Sequence, residues 1–118
     1  MDGLMHLGPV KYLSASCELR EFEPAPELKD SILEIIKLNS FTRKCGHARA
    51  LMLHLCEMAD LNRITLVLMP EAEEGGMPQD ALVKFYEKLG FVIIQDDPQI
   101  MARAPLPEFQ VKQWLKTR

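Results

Sequence analysis

The chain is predicted to fold as an α/β domain, a mixed central sheet flanked by helices, and three stretches carry that prediction. Residues 31–39 hold Ile32, Leu33, Ile35, Ile36 and Leu38 before an Asn39-Ser40 pair. A short run rich in β-branched side chains reads as a buried strand. Residues 48–60 place Leu51, Leu55, Met58 and Ala59 at helical spacing, with Ala48 and Met52 beside them, so this segment is a helix with a broad apolar face. Residues 63–69 form a nearly continuous apolar run ended by Pro70, which reads as a central strand covered on both faces. Strand, helix, strand in that order implies a parallel pair joined by a right-handed crossover.

The remaining elements follow in order. Residues 1–8 are apolar and short, an edge strand or an arm. Strand-like alternation runs over Val10–Leu13 and Ser16–Phe22, with Cys17 and Leu19 on one side and Glu18 and Arg20 on the other. Pro24 and Pro26 break it, since proline cannot continue a ladder, and make a hairpin-type connection to the 31–39 strand. In that strand Leu33 and Ile35 face one way and Ile32, Glu34, Ile36 and Leu38 the other. Glu34 there is either a carboxylate among apolar neighbours, costly without a purpose, or a solvent-facing residue of an edge strand. Residues 71–78 are an acidic, glycine-containing loop. A second helix from about Gln79 to Leu89 presents Leu82, Phe85, Tyr86 and Leu89, with Gly90 as its stop. Phe91–Ile94 and Gln99–Ala104 are strands around an Asp96-Asp97-Pro98 turn. Thus residues 1–104 form the domain, and residues 105–118, with Phe109, Val111, Trp114 and Leu115, form a tail able to dock as a short helix.

At 118 residues there is room for one core. The net charge of −3 with mixed signs argues against general nucleic-acid binding, which shows as a basic stripe. No apolar run nears the roughly 20 residues that span a membrane, and no leader pattern opens the sequence, so a cytoplasmic location is expected. The three cysteines, Cys17, Cys45 and Cys56, are unpaired by any CxxC spacing and fit reduced thiols. Cys45, His47 and Cys56 lack the spacing of a zinc set, so no metal is expected. His54 has nothing nearby in sequence to orient it and reads as a surface residue.

The chemistry concentrates in Arg43-Lys44-Cys45-Gly46-His47-Ala48-Arg49. A loop that turns at a glycine into a helix leaves backbone N–H groups unpaired at the positive end of the helix dipole, a place for anions and phosphates. The same spot lies at the carboxyl end of a strand, where ligands gather in open α/β sheets. Arg43, Lys44 and Arg49 would add side-chain charge.

Arg43-x-x-Gly46-x-Ala48 opening a helix, followed by Phe85-Tyr86-Glu87-Lys88-Leu89-Gly90-Phe91 after an intervening strand, resembles the GNAT family of N-acetyltransferases over residues 31–104. The first segment looks like that family's pyrophosphate signature and the second like its closing helix and turn. The resemblance implies acetyl transfer from acetyl-CoA to an amine, without a covalent intermediate. It implies that Arg43, Lys44, Cys45, Gly46, His47, Ala48 and Arg49 hold the pyrophosphate, and that Leu38, Asn39 and Ser40 pair with the pantetheine arm. Gln79 would touch the cofactor, and Tyr86 would be the general acid for the departing thiolate. An amine near pKa 10.4 must lose a proton before it attacks, and Glu34 is the candidate base. Against this, Tyr86 has a packing role open to it beside Phe85 and Leu82.

The sequence departs from the family in His47 and Cys45, and it is shorter than a typical member, lacking the N-terminal portion that builds the acceptor site. A protein acceptor, or a site completed by a second copy in a homodimer, is therefore expected rather than a small molecule in an enclosing pocket. The size is similar to that of compact bacteriophage acetyltransferases, which would place the chain in a host cytoplasm. The alternative is a non-catalytic module that keeps the fold and regulates or inhibits a partner by binding it. A nucleotide-phosphate binder of another kind is disfavoured, because neither a P-loop nor a full G-x-G-x-x-G is present.

Overall fold

Alternating and continuous apolar runs of this kind have one economical arrangement, a sheet with its helices laid over it. The computed structural model describes residues 7–12, 14–22, 31–40, 46–72 and 77–105. Six strands and two helices follow one another as β1 (Gly8–Tyr12), β2 (Ala15–Glu21), β3 (Ile32–Ser40), α1 (His47–Asn62), β4 (Thr65–Leu68), α2 (Gln79–Glu87), β5 (Val92–Asp96) and β6 (Gln99–Arg103). The sheet order is β1-β2-β3-β4-β6-β5. β3 and β4 are parallel and every other pair is antiparallel, so the sheet is mixed, as the strand-helix-strand order requires. The 23–30 connection, the 73–76 part of the acidic loop and the 106–118 tail lie outside the described residues.

Register fixes which side chains share a face. Leu19, Ile35, Leu68 and Met101 lie in one row across the sheet, and Leu33, Leu66 and Arg103 in the next. All are buried, and with Leu51, Met52, Leu55, Cys56 and Ala59 of α1 they make the core. Tyr86, Leu89 and Phe91 join the same cluster, so both helices cover one face. The row of opposite sense, Arg20–Glu34–Val67–Ala102–Val92, lies on the face that neither helix covers. β4 therefore differs from the doubly covered strand that its apolar run suggested, although Val67 on the second face is buried all the same.

Three boundaries also move. Phe91 belongs to the core rather than to β5, which runs on to Asp96. The alternation expected through Lys37 stops there: Ser16 pairs with Asn39 but Glu18 with Ile36, so β3 carries a bulge, and Lys37 takes φ 56°. A bulge of this kind bends the strand and re-aims its side chains. Finally, β3 is an interior strand and Glu34 is 7% exposed, which removes the solvent-facing edge reading.

A buried ion pair locks the layers together. Arg103 Nη1 and Nη2 donate to Asp60 Oδ1 and Oδ2 at 2.6 and 2.9 Å, and its Nε donates to the Leu89 carbonyl at 2.7 Å. One guanidinium thus joins the end of α1, the end of α2 and β6. Burial by itself works against its charge, and the Asp60 bonds more than offset that, leaving its pKa above the ordinary value. Gly90 sits against it with φ 100°, and a Cβ there would stand 3.1 Å from Arg103 Nε, so the turn needs glycine both for its backbone and for the approach.

Candidate functional site

The candidate site is a split between the two parallel strands. β3 and β4 pair from Ile32 with Thr65 to Ile35 with Leu68, where β4 ends. β3 continues through Ser40, still held by β2 through Ile36 with Glu18 and Ser40 with Ala15. Over residues 36–40 it offers an open backbone edge towards the space that β4 has left.

Gln79 shows why the strands part. Its Nε2 donates to the Pro70 carbonyl at 2.8 Å and to Gln99 Oε1 at 2.7 Å, while its Oε1 accepts from the Ala72 N–H at 2.9 Å. The chain after β4 is drawn to the start of α2 and β6, away from β3. Both amide protons of this expected cofactor contact are therefore already used. Gln79→Ala is expected to lower stability by about 1–2 kcal/mol, read as a drop in the urea midpoint, because three hydrogen bonds of a loop lose their common partner.

At the far end of the split stands the start of α1. Gly46 is its N-cap, in the left-handed region at φ 75° and ψ 9°, with no side-chain cap bond and no acid in the first turn. The first helical bond runs from the Ala50 N–H to the Gly46 carbonyl at 2.9 Å, so the N–H groups of His47, Ala48 and Arg49 precede the ladder. An uncapped positive helix end suits an anion. Arg43, Lys44 and Cys45 lie outside the described residues. Arg49 and Asn39 are exposed, Ala48 and Leu38 half-buried, and the backbone of Ser40 closes β3.

Ser14, in the β1–β2 turn, is a contact that sequence reading missed. Its backbone N–H donates to His47 Nδ1 at 3.2 Å, and its hydroxyl lies 2.6 Å from the same atom. A backbone N–H can only donate, so Nδ1 is an acceptor and a neutral ring carries its proton on Nε2. The unusual His47 is thus a latch between the helix start and the hairpin, 33 residues apart in sequence.

The two expected catalytic residues lie on opposite faces of the sheet. Tyr86, 6% exposed, packs edge-to-face on Phe85 and Phe91 with ring centroids 5.2 and 5.8 Å away. Burial, with a smaller push from the neighbouring Cys17 thiol, raises its pKa to about 12. Cys17 stands between Ser16 and Glu18, opposite the β3 bulge, and is close enough to the phenol to act on its proton. Glu34 is on the other face, one residue short of the last β3–β4 pair, where it accepts from Arg20 Nε at 3.1 Å. The packing role open to Tyr86 is realised: its ring fills the core.

Cys17 and Cys56 are buried free thiols whose pKa values burial pushes up to about 11. They are core residues rather than nucleophiles. No group of acids, cysteines and histidines that could hold a metal occurs among the described residues, and none of the described helices is long and apolar enough to cross a membrane.

No protein-family model matches the chain, and no curated protein matches it in sequence. Among solved structures it is similar to the crystal structure of the anti-CRISPR protein AcrVA5, with a TM-score of 0.63 and 17% identity over 81% of this chain and 98% of that one. At that identity the likeness concerns the fold, a six-stranded mixed sheet with two helices of GNAT-like form.

Proposed function

We propose that the protein is an acetyl-CoA-dependent N-acetyltransferase whose acceptor is a lysine of another protein. The split between β3 and β4, ending at an uncapped helix start, carries this reading. An extended pantetheine arm can complete the open backbone edge of residues 36–40 as a short strand would. Its pyrophosphate then meets the N–H groups of residues 46–49, with Arg43, Lys44 and Cys45 in the same loop.

The reaction needs a base on the side of the amine and a proton donor on the side of the sulfur. The deprotonated amine attacks the thioester carbonyl carbon, the C–N bond forms, the C–S bond breaks and the electron pair leaves on sulfur. Glu34, on the helix-free face, takes the amine proton directly or through water. Tyr86, on the helix face, donates to the sulfur. Its raised pKa keeps the proton in place throughout the neutral range, at the cost of a weaker driving force for complete transfer.

A protein acceptor agrees with the likeness to an anti-CRISPR protein. That likeness also favours a second reading, a GNAT-like module that binds its partner without catalysis.

Calorimetric titration with acetyl-CoA tests the shared cofactor site. Micromolar, one-to-one binding is expected, and Gly46→Glu is expected to weaken it at least about 100-fold. A Cβ at Gly46 meets nothing within 4 Å, so the variant pays only the left-handed backbone cost of roughly 1–2 kcal/mol and should stay folded. Absence of binding by the wild type would sink the enzymatic reading.

A further inference from the structure

We infer that β5 is a self-association edge, and that two copies pair their β5 strands antiparallel to continue the sheet across a two-fold axis. This inference is independent of the acyl-transfer reading. An open sheet has two edges, and this chain treats them differently. β1 carries exposed Pro9, which cannot donate to another strand, and exposed Lys11. Both are devices that keep an edge from pairing. β5 has neither. It opens with Val92, Ile93 and Ile94, exposed by 60%, 39% and 57%, and its outer side has no strand neighbour among the described residues. Ile93 pairs with Met101 and Gln95 with Ile100, so Ile94 is bulged. That twists the edge, and the single charge on the strand, Asp96, stands at its end.

Charge selects the occupant and its direction. β5 runs into Asp96 and Asp97 and follows shortly after Lys88, all three exposed. Antiparallel self-pairing brings the acidic end of each copy beside Lys88 of the other and keeps the two acidic ends apart. Parallel pairing would set acid against acid. A strand that supplies both halves of such a contact satisfies the self-complementarity of a two-fold interface. The edge is flanked by a shallow groove of about 300 Å³ between α2 and the sheet, lined by Val83, Lys84, Glu87 and Ile93 among others, which extends the contact past the strand itself, as a specific dimer requires.

Sedimentation velocity on the full chain, from about 5 to 200 micromolar, tests the inference. The wild type should move from 13.5 kDa towards twice that mass and stop there, since among the described strands only β5 is an edge without proline or lysine. Ile94→Lys should raise the dissociation constant about 100-fold or more with an unchanged circular dichroism spectrum. Lys88→Glu should weaken pairing about tenfold, and adding Asp96→Lys should restore it. A monomer throughout the range, growth past two copies, a dimer indifferent to Ile94→Lys, or a charge swap that fails to restore pairing would each overturn it.

Discussion

Arg103→Ala is expected to remove about 3–5 kcal/mol of folding stability, a large share of what a domain of this size possesses. The reason is the carboxylate left behind. Asp60 is buried in the last turn of α1, where the helix dipole already disfavours negative charge. Its two oxygens face the guanidinium at 2.6 and 2.9 Å. Without Arg103 that charge is buried beside an unfavourable dipole, and the Leu89 carbonyl loses its donor as well. Arg103→Lys should recover little, because one ammonium cannot reproduce a bidentate fork and a third bond. Replacing both partners by apolar residues, Asp60→Leu with Arg103→Met, should recover much of the loss. Urea denaturation of the three variants decides the matter, and a double variant no better than the single one would show that the ion pair itself, rather than the orphaned charge, sets the cost.

Tyr86→Phe is expected to lower turnover by about 10²–10⁴-fold while leaving acetyl-CoA affinity within roughly twofold. The ring contacts with Phe85 and Phe91 survive the change, so the fold should too, and what the proposed reaction loses is the proton for the sulfur. A turnover number that survives the substitution would remove Tyr86 from the chemistry and favour the binding module. Alkaline titration supplies a readout that separates the hydroxyl from the ring. The phenol's pKa is about 12 in the fold against an ordinary 10.0, so the folded state favours the neutral form. The stability this gives is complete below pH 10 and is lost as pH climbs towards 12. The phenylalanine variant should lack that loss. Both proteins should share an earlier decline, between about pH 9 and 11, as Cys17 and Cys56 ionise in the unfolded chain.

Much of this architecture is legible in the residues. The apolar run of 32–38, the helical spacing from Ala48 and the run ended by Pro70 correspond to β3, α1 and β4 in the parallel arrangement that their order demanded. The start of α1 at Gly46 is legible because a positive φ there has few alternatives. What periodicity could not give is the partnering of residues far apart in sequence. Arg103 looks like one polar residue in an alternating strand, and Asp60 like a surface acid. The one signal for Asp60 was its wrong sign at a helix end with no base beside it. The bulge at Lys37 was equally hidden, since it arises from a mismatch between two strands rather than from either alone. The family resemblance assigns Gln79 and His47 to a cofactor, and in the fold their side chains also tie loops together: side-chain type indicates capacity to bond, and tertiary packing decides to what.

The sheet order has a consequence for how the chain acquires its shape. β6, the final described strand, is inserted between β4 and β5, and it delivers Arg103 to an aspartate 43 residues earlier. Until residues 99–103 are available, β4 has a neighbour on one side only among the described strands, Asp60 lacks the guanidinium, and β5 lacks its described partner. A nascent chain leaving the ribosome can therefore form the β1–β2–β3 meander early, yet it cannot close its core before its last strand emerges. Closure of this core is gated by β6, the element that fills the gap between β4 and β5.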